Sequence, residues 1–496
     1  MLSLDDDNAT IARQRTGPNA NFEPSEQFLR ANRLELDLTY MLNGPDGAPF
    51  VERRELDNIA DSVVAARRRL AAHEGDCHDG ESAMLGWQTL PDTLTREHLD
   101  SVCRVARQLS DKIDAFVSLG IGGSYLGIEA TIRALTHTWF NQLDRNDRGG
   151  APEIYFLGQN TDPDFFRDTL DCLRGKRIGL NVISKSGTTT ETALAFRVLR
   201  RLLEDELGEN ARELIVATTD ANRGALRQLA DQKEYQTFVV PDDVGGRFSI
   251  LTDVGLFGLS MARIDIHEFV AGFRRMKELT AHDDFWSNPA LVHAAVRHLA
   301  HQKGKRIEVV ATNSAAIYQV TRWMEQLFPE SEGHRGQGMW VSPSMYSEKL
   351  HANGQMVQQG HRNIMETFLQ LVESDNRVSV PGDPENLDGL NYLVDKDMNF
   401  VNRLVVEGPA WAHFRGAVPN MTIRIPVRNA FNLGQLYYMM ELSVAISGYL
   451  AGINPFTQPG VEAYKKAIFG LAGKPGHEEW GDGIRRQITK MERIVV

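Results

Sequence analysis

From about residue 110 onward the chain alternates short apolar runs with helix-favouring stretches, and no other feature constrains its fold as much. Residues 115–119 (Ala-Phe-Val-Ser-Leu) form a run of strand length, followed by glycines and then a helical pattern. Residues 178–183 form a second run, followed by small and hydroxyl residues and a helical stretch over 191–203. Further strands are expected at 213–217 and 237–240. Strands separated by helices in this way predict an α/β fold with a doubly wound parallel sheet. A second such unit is expected from near residue 290, with a strand at 307–311, a helix over 314–328, a strand at 421–426 and a long apolar helix over 433–450. Residues 380–420 are richer in Pro, Gly and Asn and read as an insertion or loop region. A chain of 496 residues exceeds one ordinary core. The expected division is a mostly helical N-terminal segment over 1–104, a first α/β domain over 105–285, a second over 286–470 and a C-terminal tail over 471–496.

Charge and cysteine usage narrow the function class. A formal net charge of -12 argues against a nucleic-acid binder or an anionic-membrane binder. An acidic chain can still bind an anion, provided the site is built locally from backbone N–H groups, hydroxyls and a few cations. The arginine-rich 65–70 stretch is read as a solvated helix face. The three cysteines, Cys77, Cys103 and Cys172, are odd in number and contain no CxxC pair. They argue against a disulfide framework or structural zinc and for a reducing compartment. The start of the chain is acidic and lacks an apolar signal region, and the apolar 442–453 stretch is too short to span a membrane. A cytoplasmic location is expected.

Two loops have the character of a phosphate site. In open α/β sheets, ligands bind beyond the carboxyl ends of the strands, where helix N-termini face the crevice. The glycines of residues 120–127 (Gly-Ile-Gly-Gly-Ser-Tyr-Leu-Gly) let backbone N–H groups approach a ligand, and the Ser124 hydroxyl can add a donor. The same loop also reads as a tight strand-to-helix turn without a ligand. It is no dinucleotide fingerprint, because Tyr125 stands at the third glycine position. Residues 184–191 (Ser-Lys-Ser-Gly-Thr-Thr-Thr-Glu) crowd five hydroxyls and a lysine between a strand and a helix. One hydroxyl suffices for a helix cap, so the five hydroxyls and Lys185 together are candidates for phosphate binding. The Walker A pattern is absent, which disfavours a nucleoside triphosphatase.

Candidate acid–base groups lie further along. Arg247 follows two glycines and can be carried into a crevice to stabilise an oxyanion, although alone it also reads as a surface arginine. Glu330 is placed in a loop after an apolar helix and is a candidate general base, with Glu332 competing for the role. His351 has a useful pKa range, but a lone histidine is more often structural. Lys465 falls about one turn into a helix expected to start near residue 461. No metal site is expected. The His73–Cys77 stretch matches HExxH only superficially, and no GxSxG elbow sits at a strand end.

Taken together, the segments at 120–127, 184–191, 245–249 and 456–465 resemble the glucose-6-phosphate isomerase (phosphoglucose isomerase) family, bacterial type, over about residues 85–476. The resemblance implies two sugar-isomerase α/β domains, a homodimer, a sugar-phosphate substrate and no cofactor. It implies interconversion of glucose 6-phosphate and fructose 6-phosphate, through ring opening and a cis-enediol, in glycolysis and gluconeogenesis. By the same resemblance Glu330 matches the base that moves a proton between C2 and C1. His351 matches a ring-opening histidine that the neighbouring subunit supplies, and Lys465 a lysine acting at the ring oxygen. Arg247 matches the arginine that stabilises the enediolate. Gly123, Ser124, Ser184, Lys185, Ser186 and Thr189 match positions around the phosphate and sugar, and Gln458 a substrate-contacting glutamine. The chain departs from the family pattern at His334, where lysine is usual, at Glu348-Lys349, and at Asp253. A broader glucose/mannose-phosphate isomerase and a non-catalytic sugar-phosphate sensor on the same fold are the alternatives. A sensor would be expected to have lost its acid–base groups.

Overall fold

The computed structural model describes residues 22–73 and 84–496. Cys77, the acidic start of the chain and most of the HExxH-like stretch lie outside the described residues. Ten strands are described: β1 (Glu35–Asp37), β2 (Ala115–Leu119), β3 (Glu153–Leu157), β4 (Ile178–Ile183), β5 (Ile215–Thr219), β6 (Gln236–Val239), β7 (Ile307–Thr312), β8 (Trp340–Met345), β9 (Ile364–Leu371) and β10 (Asn420–Ile425). They form two five-stranded sheets, ordered β3-β2-β4-β5-β6 and β1-β10-β9-β7-β8. All pairings are parallel except that of β1 with β10.

The two sheets are wound alike. β2 has β3 on one side and β4 on the other, and β7 has β8 on one side and β9 on the other. In the first sheet the strand order therefore reverses between β2 and β4, and the loops after Leu119 and Ile183 flank that crevice. Helices cover the strands, so β2 and β4 are buried at every residue, which explains their unbroken apolar character. The helix Ala430–Leu450 is buried from Ala430 to Tyr449 on all sides and is an interior element. No helix among the described residues is long and apolar enough to cross a membrane.

Several expectations shift for identifiable reasons. β8 lies outside the expected strands and carries Pro343, and as an edge strand it needs no ladder donor on its outer side. The 380–420 region is not all loop, because Met398–Arg415 is a helix with Pro409 inside it. Its buried positions Val406, Ala410, His413 and Phe414 repeat at helical spacing, and Gly408 and Pro409 mask that stripe. The N-terminal segment adds β1 to its helices, and that strand caps the second sheet. The tail contains the helix Glu478–Lys490, packed on Val461–Leu471. Arg67, expected on a solvated face, is 13% exposed and pairs with Asp283. Cys103 is buried and Cys172 exposed, and both are free thiols.

Candidate active site

The loop after β2 enters a short 3-10 turn, Gly122–Ser124. Gly122 adopts φ +56°, a conformation that favours glycine. A Cβ on Gly123 would lie 1.9 Å from the Gly246 carbonyl oxygen and 2.6 Å from the Arg247 nitrogen. Only glycine permits this contact, which brings the loop after β2 against the one that follows β6. Arg247 is thereby held at the first loop although more than a hundred residues separate them.

Arg247 is 4% exposed and makes four hydrogen bonds through its guanidinium, which has five N–H groups. Nε donates to Ser331 Oγ at 2.7 Å, one terminal nitrogen to Gln458 Oε1 at 3.0 Å, and the other to the carbonyls of Pro455 and Thr457 at 2.5 and 3.2 Å. Burial pushes its pKa down to about 10, with the Glu330 charge opposing that, so it stays cationic at neutral pH. The 454–460 segment that accepts these bonds is anchored by Phe456, whose ring sits 5.3 Å from that of Phe248.

Glu330 stands in the last turn of the helix Tyr318–Glu332, not in the loop beyond it as expected. Its Oε1 lies 3.6 Å from the nearer Arg247 nitrogen, an ion-pair distance longer than a hydrogen bond. Oε2 accepts from Gln326 Nε2 at 2.9 Å. Glu330 is 28% exposed and lines a cleft of about 370 Å³ with His334, Thr457 and Gln458. Glu332 is 5% exposed and bound by Arg297, so it does not face the cleft. Along one helix turn Glu330 faces the cleft and Glu332 the interior.

The second loop begins at Ser184, whose hydroxyl accepts from the Gly187 amide at 3.0 Å and meets Thr189 Oγ1 at 3.3 Å. Thr189 precedes the helix Thr190–Leu207 but makes no side-chain cap, leaving the first-turn N–H groups without one. Ser186 and Thr188 hydroxyls are exposed and 3.0 Å apart. Lys185 turns aside, and its ammonium donates to the carbonyls of Pro241 and Asp242 at 3.2 and 2.9 Å.

Two candidates stand apart from the cluster in this chain. His351 ends a 3-10 turn after β8 and is exposed. The Lys465 ammonium pairs with Glu462 at 2.9 Å on the surface of its own helix. Of the departures, His334 donates from Nε2 to the Thr457 carbonyl at 3.0 Å, sharing that oxygen with Arg247. Burial lowers its pKa, and the Arg247 charge does so further. Asp253 pairs with His98 at 2.7 Å, and Lys349 with Glu348 at 2.9 Å. Sequence reasoning missed Gln326. Its only signal is its place one helical turn before Glu330, on the same face. Among the described residues no group of His, Cys, Asp and Glu is placed to hold a metal ion.

Sheets wound in this way, with a carboxylate and a fixed guanidinium meeting beside a glycine loop, define an α/β enzyme of the sugar-isomerase fold. The family model for phosphoglucose isomerase matches residues 96–474. A glucose-6-phosphate isomerase of Fusobacterium nucleatum is 40% identical over 458 residues, 92% of this chain and 100% of that one. One from Bacillus cytotoxicus is 43% identical over 431 residues, 87% of this chain and 95% of that one. The crystal structure of a hypothetical protein from Thermus thermophilus superposes with a TM-score of 0.78 at 28% identity, covering 90% of this chain and 100% of that one. The chain belongs to the phosphoglucose isomerase family.

Proposed function

We propose that the protein interconverts glucose 6-phosphate and fructose 6-phosphate by proton transfer through a cis-enediol. The observation that carries this is the approach of Glu330 to Arg247, 3.6 Å apart, at a cleft beside the 122–124 loop. Glu330 removes the C2 proton of the open-chain aldose. The C–H electrons form the C1–C2 double bond, and the carbonyl pair moves to O1. Arg247, charged and already oriented, stabilises that oxyanion without having to reorganise. The O2 hydroxyl proton then passes to O1, the O2 electrons form the C2 carbonyl, and the C1–C2 electron pair takes the proton back from Glu330 at C1. Gly123, Ser124, Ser184, Ser186, Thr189 and Gln458 hold the phosphate and sugar, and Lys185 would exchange its bonds to the Pro241 and Asp242 carbonyls for the phosphate, so the reacting carbons are presented at fixed distance. The names of relatives at 40–43% identity support the choice of substrate.

Ring opening is assigned to His351 and Lys465. The exposure of His351 supports a role across a homodimer interface, where it would enter the neighbouring subunit's cleft. Lys465 would exchange its surface bond to Glu462 for the ring oxygen. The sheets support a division into α/β domains over 105–285 and 286–470, and the free thiols support a cytoplasmic location. The test is proton exchange. The protein is mixed with fructose 6-phosphate in heavy water and followed by NMR. Deuterium at C2 of new glucose 6-phosphate is expected, and Glu330→Gln should abolish most conversion while sugar phosphate still binds. Binding without conversion or exchange in the native protein would instead make it a sensor.

A further inference from the structure

The turn that carries Glu330 is weak by its own sequence. Pro329 lies inside the helix and cannot donate to the carbonyl four residues back. The residue that follows, Gly333, has φ -73°, so no left-handed glycine closes the end. Such a terminus frays unless something outside the helix holds it.

A buried chain of charges does so. Glu332, the last helical residue, accepts from both terminal nitrogens of Arg297, at 2.5 and 3.1 Å. Arg297 is 1% exposed, and its Nε donates to Glu308 Oε2 on β7 at 2.8 Å. The other Glu308 oxygen accepts from Thr367 on β9 at 2.6 Å. The Arg297 guanidinium also lies 4.0 Å over the ring of Phe328, in the same turn as Glu330. The turn is thus tied to two interior strands of the second sheet, while its Ser331 hydroxyl holds Arg247 on the other side.

We propose that Arg297 and Glu332 are positioning residues for the reaction: their bidentate bond fixes the Glu330 carboxylate against Arg247 and the reacting carbon, without touching substrate. This rests on Glu330 being the base. A buried ion pair often adds little to stability over a well-packed apolar pair. What it supplies is direction, because two parallel hydrogen bonds fix both the distance and the plane of the carboxylate. Proton transfer needs that, since a misplacement of about 1 Å can cost roughly a hundredfold in rate.

The test uses Glu332→Asp, which keeps the charge and both oxygens but shortens the tether by one methylene. The expected result is a kcat lower by about 10- to 100-fold, with KM for fructose 6-phosphate within about twofold, because the phosphate loops belong to the first sheet. In heavy water the variant should also transfer less of the original proton between C2 and C1, since a displaced carboxylate exchanges with solvent first. A merely structural role would reduce the amount of active protein without changing that fraction. Arg297→Lys, which cannot reproduce the two parallel bonds, should give the same pattern and serves if the first variant fails to fold. A folded variant with native kcat and native transfer fraction would overturn the proposal. Native protein without isomerase turnover would overturn the function itself, a separate result.

Discussion

Replacing Arg247 with lysine keeps the charge but changes its geometry. The guanidinium reaches four acceptors in three directions: Ser331 Oγ, Gln458 Oε1, and the carbonyls of Pro455 and Thr457. A single ammonium cannot span them, so at least two lose a cationic donor. Hydrogen bonds to charged groups contribute about 1.5–3 kcal/mol each, giving a local loss of roughly 3–6 kcal/mol. Domains are commonly stable by about 5–15 kcal/mol, so the variant should fold at 25 °C but melt earlier. The catalytic loss is separate. Removing one aligned oxyanion donor costs about 10²–10³ in kcat. The expected result for Arg247→Lys is therefore a folded protein with kcat reduced about a hundredfold or more. Circular dichroism would monitor the fold, and an assay coupled to oxidation of glucose 6-phosphate would measure turnover. A kcat within about fivefold of the native value would show that charge alone suffices and refute the alignment argument.

Three further outcomes are expected. Gly123→Ala puts a methyl group where the Gly246 carbonyl now lies, at 1.9 Å, so the two loops must part; kcat should fall by at least about tenfold with the fold retained, in the same coupled assay. The double variant Ser186→Ala, Thr189→Ala removes two donors to a dianion and should raise KM by at least about tenfold while kcat changes less, and unchanged KM would count against the phosphate clamp. His293 is fully buried between Ser443 and the Arg297 charge, and its pKa lies well below 6.5 through burial first and that charge second. The unfolded chain therefore binds the proton first as pH falls through 6.5, and stability should drop below that pH. Denaturant melts near pH 5 and pH 7.5 should show a smaller pH dependence in His293→Gln.

What the residues reveal before folding depends on whether their signal is local. β2 and β4 are legible because strands buried on both faces must be apolar throughout. The 184–191 loop stands out in the sequence because five hydroxyls exceed any capping need, and its phosphate role is a proposal. Pro409 misleads because proline's cost depends on context, and one lost bond in a helix tolerates it. Gln326 is opaque, since nothing in its neighbourhood distinguishes it from a solvated helix glutamine. Glu308, Glu332 and Arg297 are opaque for the opposite reason. Single charges in a sequence read as surface, and only the tertiary fold shows that they are buried together.

The proposed site divides its work between the two sheets, and on that proposal a chain of net charge -12 can receive a sugar phosphate. The proposed grip on the phosphate uses hydroxyls and backbone N–H groups beyond β2 and β4, which need no excess of cations. The proposed base comes from a helix that follows β7, and Arg247, from the loop after β6, bonds to both that helix and the 454–460 segment. The reach from phosphate to reacting carbon is then set by how closely the sheets' loops approach, which Gly123 governs on one side and the Arg297–Glu332 bond on the other. Changes in the hydroxyl loop should therefore appear in KM, and changes at Gly123, Arg247 or Glu332 in kcat. If a variant at Glu332 and one at Ser186 both moved KM alone, the separation of grip from chemistry would fail, and the base would have to be sought outside the helix that carries Glu330.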